Sequence, residues 1–241
     1  MARTPTTEKI VPYALLGMTV VTGLVDALSY ISLGRVFTAN MTGNVVILAF
    51  SMARVPGLSI ARSSTALLAF LVGAIVGGRI MSRGSAETQF QFAARAFFLE
   101  VAFLFAAAFC AIGRNLMEDS FRAFALITLL AFAMGTRSAA VRKLAIPDLT
   151  TTVLTLTITG IAADSSIANG NNPRLAKRIG SVAAMFLGAA LGAVIIRYSI
   201  SAALWLATAI SASCSAAWFR SLRSSNQTKD STPALQPNSS A

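Results

Sequence analysis

Six stretches of this chain, at about 12–34, 64–82, 96–113, 122–142, 180–196 and 199–219, are apolar for long enough to cross a bilayer. A helix rises ~1.5 Å per residue, so crossing takes roughly 20 residues. Unpaired backbone groups cannot face lipid, which makes helices the default. With 55% hydrophobic residues, 12% charged residues and a mean hydropathy of +0.69, the composition excludes an ordinary soluble domain. The expected class is an all-α, polytopic helical membrane protein.

Two further segments are short and polar. Residues 40–53 read NMTGNVVILAFSMA and residues 148–163 read DLTTTVLTLTITGIAA. As helices they would reach only about 21 to 24 Å, less than the ~30 Å hydrocarbon thickness, so they are expected to enter without crossing. Each half of the chain then has a long helix, a short polar segment and two more helices. The third element of each half carries the same spacing of small residues, VGAIVGG with Gly73 and Gly77 against LGAALGA with Gly188 and Gly192. Such glycines let helix backbones approach closely. Two at equivalent places argue for a duplication, with repeats over 12–113 and 121–219.

Six crossings distribute Lys and Arg more unequally between the two faces than eight would, which favours an inverted repeat with both termini cytoplasmic. The stretch after residues 1–11 is too long for a signal peptide and lacks a convincing cleavage site, so it is expected to stay as the first span. Residues 220–241 turn to Ser, Asn, Gln, Thr and Pro, and a disordered tail is expected there.

The net charge of +11, from 20 Lys and Arg against 9 Asp and Glu, lies mostly between the spans. Anionic membrane lipids are its expected counter-charge, and no basic stripe with interleaved aromatics points to nucleic acid. Histidine is absent, and Cys110 and Cys214 each stand alone in an apolar run. No metal site, disulfide framework or cofactor is indicated.

Asp26 lies near the middle of the first span, where a carboxylate costs about 2.5–3.5 kcal/mol and must face protein or water. Thr19, Thr22, Asp26, Ser29 and Tyr30 follow at spacings of three and four, one polar stripe on one helix face. Such a stripe serves either a solute or ion pathway or hydrogen bonds between helices. In the second half, Arg137 stands near the position equivalent to Asp26, where it would either pair with Asp26 or snorkel to the interface. Glu100 is expected to pair with Arg79 near the interface. Asp26 with Asp148 is the one conceivable carboxylate dyad for proteolysis, without the motifs such enzymes carry.

Asn40, Thr42, Gly43 and Asn44 of the first short segment are matched by Thr150, Thr151, Thr152 and Thr155 of the second. Interrupted hydrophobic segments at corresponding places of two halves point to a transporter's binding site. The same side chains can also simply hold helices together.

The stretch GLVDALSYISLGRVFTANMTGNVVIL, Gly23 to Leu48, resembles the signature of the YoaK family, bacterial inner-membrane proteins that form a domain of unknown function. Its Gly-x-x-Asp-Ala start and Phe-x-x-Asn-x-Thr-Gly-Asn core are here Gly23, Asp26, Ala27, Phe37, Asn40, Thr42, Gly43 and Asn44. The likeness covers residues 12 to 220. Two departures stand in the second half, where Thr155 is followed by Leu156 in place of the family's Thr-Gly pair and Arg137 replaces a neutral polar residue. The resemblance implies a multi-pass protein of the bacterial inner membrane and no particular reaction.

The residues point first to a small permease-like transporter of a solute or ion that the sequence does not name. Its pathway would run through Asp26, Ser29, Tyr30, Asn40, Thr42, Gly43, Asn44, Arg137, Thr151 and Thr155. A non-catalytic scaffold or lipid-interacting protein is the alternative, and the glycine motifs also leave room for a homo-oligomer. Without histidine, a nucleophile motif or metal spacing, an enzyme is not expected.

Overall fold

A computed structural model describes residues 5–85, 88–113, 120–145, 154–172 and 174–230. Its helices are α1 (Pro5–Ser32), α2 (Met41–Met52), α3 (Ile60–Ser82), α4 (Gln89–Cys110), α5 (Ser120–Leu144), α6 (Leu154–Ala163), α7 (Leu175–Ile196) and α8 (Ile200–Asp230), with a 3-10 turn at Ser166–Ala168. Six of them, α1, α3, α4, α5, α7 and α8, are long and apolar enough to cross a membrane, and the chain is a polytopic helical membrane protein. The 12 residues of α2 make a rod about 18 Å long, too short to cross. Of the second short segment, residues 148–153, including Asp148, Thr150, Thr151 and Thr152, lie outside the described residues.

The inner bundle is α1, α4, α5 and α8, whose buried Leu24, Leu28, Leu104, Leu126, Leu130 and Leu204 share one apolar core. On its flanks α3 lies along α5, and α7 along α1. Packing is reciprocal throughout: α4 meets α5 as α8 meets α1, and α2 rests on α3 as α6 rests on α7.

Glycine sets the two flanking contacts. Gly73 and Gly77 of α3 lie against the backbone of Phe132 and Thr136, while Gly188 and Gly192 of α7 lie against Val20 and Leu24. From the other side, Gly135 of α5 faces the Phe70 carbonyl and Gly23 of α1 faces the Met185 carbonyl. The Thr136 hydroxyl crosses the first contact to donate to the Gly73 carbonyl at 3.2 Å.

At its end α1 closes in a left-handed turn. The Arg35 amide reaches back to the Tyr30 carbonyl at 3.1 Å, and Gly34, with φ +89°, supplies the conformation that a Cβ disfavours. The chain then enters the loop over residues 33–40 and starts α2.

The expectation of disorder from residue 220 is corrected up to Asp230, where α8 ends; residues 231–241 lie outside the described residues. Tertiary anchors overrule composition here. Trp218 is fully buried, donates its indole N–H to the Phe90 carbonyl at 3.0 Å, and stacks on Phe90. Ser221 is buried beside it, and adding residues to an existing helix incurs no nucleation cost.

Candidate functional site: a cavity over Asp26

The loop after α1 is held by side chains of the motif. Both backbone groups of Phe37 are taken by the Asn44 carboxamide, whose Oδ1 accepts from the Phe37 amide at 2.9 Å while its Nδ2 donates to the Phe37 carbonyl. The Phe37 ring stacks on Tyr30, centroids 5.1 Å apart, and its other edge occupies the space a Cβ at Gly43 would need. Asn40 caps α2 by accepting from the Gly43 amide at 3.4 Å. Thr38 donates to the Ser29 hydroxyl at 3.4 Å, and Ser29 donates to the Asp26 carbonyl at 3.2 Å.

Asp26 anchors the same loop. Its Oδ1 accepts from the amides of Thr38 at 3.1 Å and Ala39 at 2.8 Å. Its Oδ2 is buried and has no hydrogen-bond partner among the described residues. One oxygen of the carboxylate thus holds the loop, and the other takes no part in holding it among the described residues.

Above it lies a cavity of about 1130 Å³, lined by Asp26 and Thr22 of α1, by Asn40, Met41, Thr42 and Gly43 at the start of α2, and by Thr155 of α6. Ser138, Arg142 and Lys143 of α5 complete its polar wall. The volume suits a small organic molecule. Of the sequence-derived candidates, the cavity brings together Asp26, Asn40, Thr42, Gly43 and Thr155.

The others stand elsewhere. Ser29 and Asn44 are buried in the loop contacts and do not line the cavity, and Tyr30 is half-exposed against Phe37. Thr151 lies outside the described residues. Replacing Asn44 by leucine should strip both Phe37 backbone groups of their partners and cost about 2–4 kcal/mol, at roughly 1–3 per buried group less what water recovers. Thermal unfolding in detergent would measure it, and an unchanged midpoint would show that the clamp is dispensable.

The ion-pair expectations are corrected. Arg137, 1% exposed, neither pairs with Asp26 nor snorkels: its Nη1 donates to Glu100 Oε1 at 2.9 Å and its Nη2 to the Thr22 hydroxyl at 2.5 Å. Glu100 is fully buried and also accepts from Ser211 at 3.1 Å, so Arg79, exposed in the last turn of α3, is not its partner. The reason is rotational. The α5 face that carries Arg137 turns into the inner bundle, toward α4, and the long guanidinium reaches Glu100 before it reaches the membrane surface. α1, α4, α5 and α8 meet in this cluster, with Thr22 shared between it and the cavity wall.

The chain also matches a family model. Residues 14–217 fit the one described as "Protein of unknown function (DUF1275)". The chain belongs to the DUF1275 family. The chain is also similar to the UPF0700 transmembrane protein YoaK of Bacillus subtilis (strain 168), 34% identical over 144 residues. That alignment takes in 60% of this chain and 62% of the relative, under two thirds of the relative's length. No solved structure matches the chain.

Sequence reading of this DUF1275 chain missed Arg142 and Lys143 as cavity residues, because basic residues at the end of a span read as interface anchors. Their positions one turn and more beyond Ser138 on α5 were the available signal.

Proposed function

We propose that this DUF1275 protein is a small secondary transporter whose solute occupies the cavity and whose proton or cation site is Asp26. The observation that carries the reading is a buried Asp26 whose Oδ2 has no partner among the described residues, in the wall of a cavity of about 1130 Å³. An intramembrane carboxylate is costly unless it serves a pathway, and this one is only half committed to its loop. The amino end of α2, a short interrupted element, abuts the cavity in the way half-helices present backbone dipoles to a solute in transporters.

The reading includes a place in the bacterial inner membrane with both termini cytoplasmic. It also includes an inverted repeat. With α2 and α6 not crossing, α1 and α5 run in opposite directions through the membrane, and the reciprocal contacts of α3 on α5 and α7 on α1 are those a two-fold relation would produce. Anionic lipid headgroups neutralise the basic segments between helices.

The test is transport by the full chain in liposomes that trap a pH-sensitive dye, challenged with labelled organic solutes. Asp26→Asn keeps an oxygen for the Thr38 and Ala39 amides but cannot gain and lose a proton. It should reduce solute-driven proton movement by about tenfold or more while leaving the folded yield unchanged. Full movement in the folded variant would remove the carboxylate from the mechanism, and no flux of any solute by the wild-type chain would remove the transporter.

A further inference from the structure

Among the described residues, the polar wall of the cavity carries more positive than negative side chains. Arg142 and Lys143 both line it, both are exposed, and neither has a hydrogen-bond or ion-pair partner among the described residues. The start of α2 adds a positive dipole end and first-turn N–H groups that no intrahelical carbonyl reaches, although that of Gly43 is taken by the Asn40 cap. Among the described lining residues one carboxylate, Asp26, opposes these. Arg137 approaches Asp26 from α5 but is already matched by Glu100 of α4, so that pair adds no net charge. α7 contributes only the apolar Met185 to the described lining, and α8 contributes nothing. The rest of the wall includes Val46, Phe70 and Ile158, a surface for an apolar body rather than for a hydrated ion.

We propose that the cavity takes an organic anion, its charge held by Arg142, Lys143 and the amino end of α2, and that a proton on Asp26 accompanies it. This rests on the transporter reading and names its substrate class. The proton follows from the geometry of one shared chamber. An anion beside an ionised Asp26 would place two like charges in a low-dielectric space, whereas a proton on the unpartnered Oδ2 removes that repulsion and leaves Oδ1 on its two amides. Proton and anion therefore bind with positive linkage, each raising the other's affinity by the same factor.

Three labelled probes of similar size separate the possibilities: benzenesulfonate, permanently anionic; benzenesulfonamide, neutral; and benzyltrimethylammonium, permanently cationic. Equilibrium dialysis against the full chain in discs of zwitterionic lipid should find benzenesulfonate bound at least about tenfold more tightly than either of the others. Arg142→Gln together with Lys143→Gln, both at exposed positions where folding is not at stake, should remove about tenfold of that affinity. In weak buffer with an indicator dye, benzenesulfonate should draw protons onto the wild-type protein. Asp26→Asn should bind the probe at least as well and take up none.

Equal binding of the three probes, preference for the cation, unchanged affinity in the double variant, or no saturable binding of benzenesulfonate at about 10 mM would each overturn the proposal. Proton uptake that survives in Asp26→Asn would overturn its second half. Preference for the cation would sink the anion while leaving a transporter in place, whereas loss of the transporter reading would appear as absent flux for probes of every charge.

Discussion

Arg137→Leu should lower the stability of the folded bundle by about 3–5 kcal/mol, the cost of leaving a buried carboxylate without its cation. Glu100 would keep only the Ser211 hydroxyl, since its Oε2 has no partner among the described residues, and Thr22 would lose the guanidinium that joins α1 to α5. The pair is not expected to be worth that much in itself. Desolvation offsets most of the attraction between two buried charges, so Arg137→Leu combined with Glu100→Leu should recover the greater part of the loss. Detergent-solubilised protein titrated with sodium dodecyl sulfate, read by circular dichroism, gives both single values and the double. Two equally damaging single variants with an additive double would mean that the cluster acts through packing and not through charge.

Gly188→Val should be the second severe change. Its new side chain would meet the Val20 carbonyl on α1, and backbone, unlike the far end of a side chain, has no rotamer in which to move aside. Parting α1 from α7 enough to fit it costs about 1–3 kcal/mol by the usual figures for overpacking, with the upper end expected because the whole seam must open. Gly73→Val should behave alike against Phe132. Gly78→Ala supplies the contrast, since a Cβ there meets nothing within 4 Å and alanine is the better helix former by up to about 1 kcal/mol. Equal effects of Gly188→Val and Gly78→Ala on the unfolding midpoint would show that close backbone approach does not hold the flanking helices.

Sequence and structure agree where the signal is local. The six long helices and the short segment that becomes α2 follow from hydropathy and from helix length, each of which is read within a few turns of chain. The partnership of Glu100 with Arg137 was not legible, because it depends on how far α4 and α5 are rotated about their axes, and that is decided by packing across 37 positions of chain. Residues 220–230 were misread for a related reason. Their composition is that of a tail, but the helix they extend is pinned by Trp218 to α4. At the site, hydropathy singled out Asp26, and a polar interruption with the family resemblance singled out the motif, yet neither could separate Asn40 and Thr42, which line the cavity, from Asn44, which faces away and clasps Phe37. A carboxamide on a short polar helix looks the same in either role.

That division of labour bears on what the motif can tell about other chains that carry it. Phe37, Gly43 and Asn44 are required by one another, so their joint presence certifies a geometry: a loop folded back on the first helix and a short rod aimed inward. It says nothing about the rest of the cavity wall, which is built here by positions the signature leaves free, among them Ser138, Arg142, Lys143 and Ile158. Comparative work on specificity belongs there.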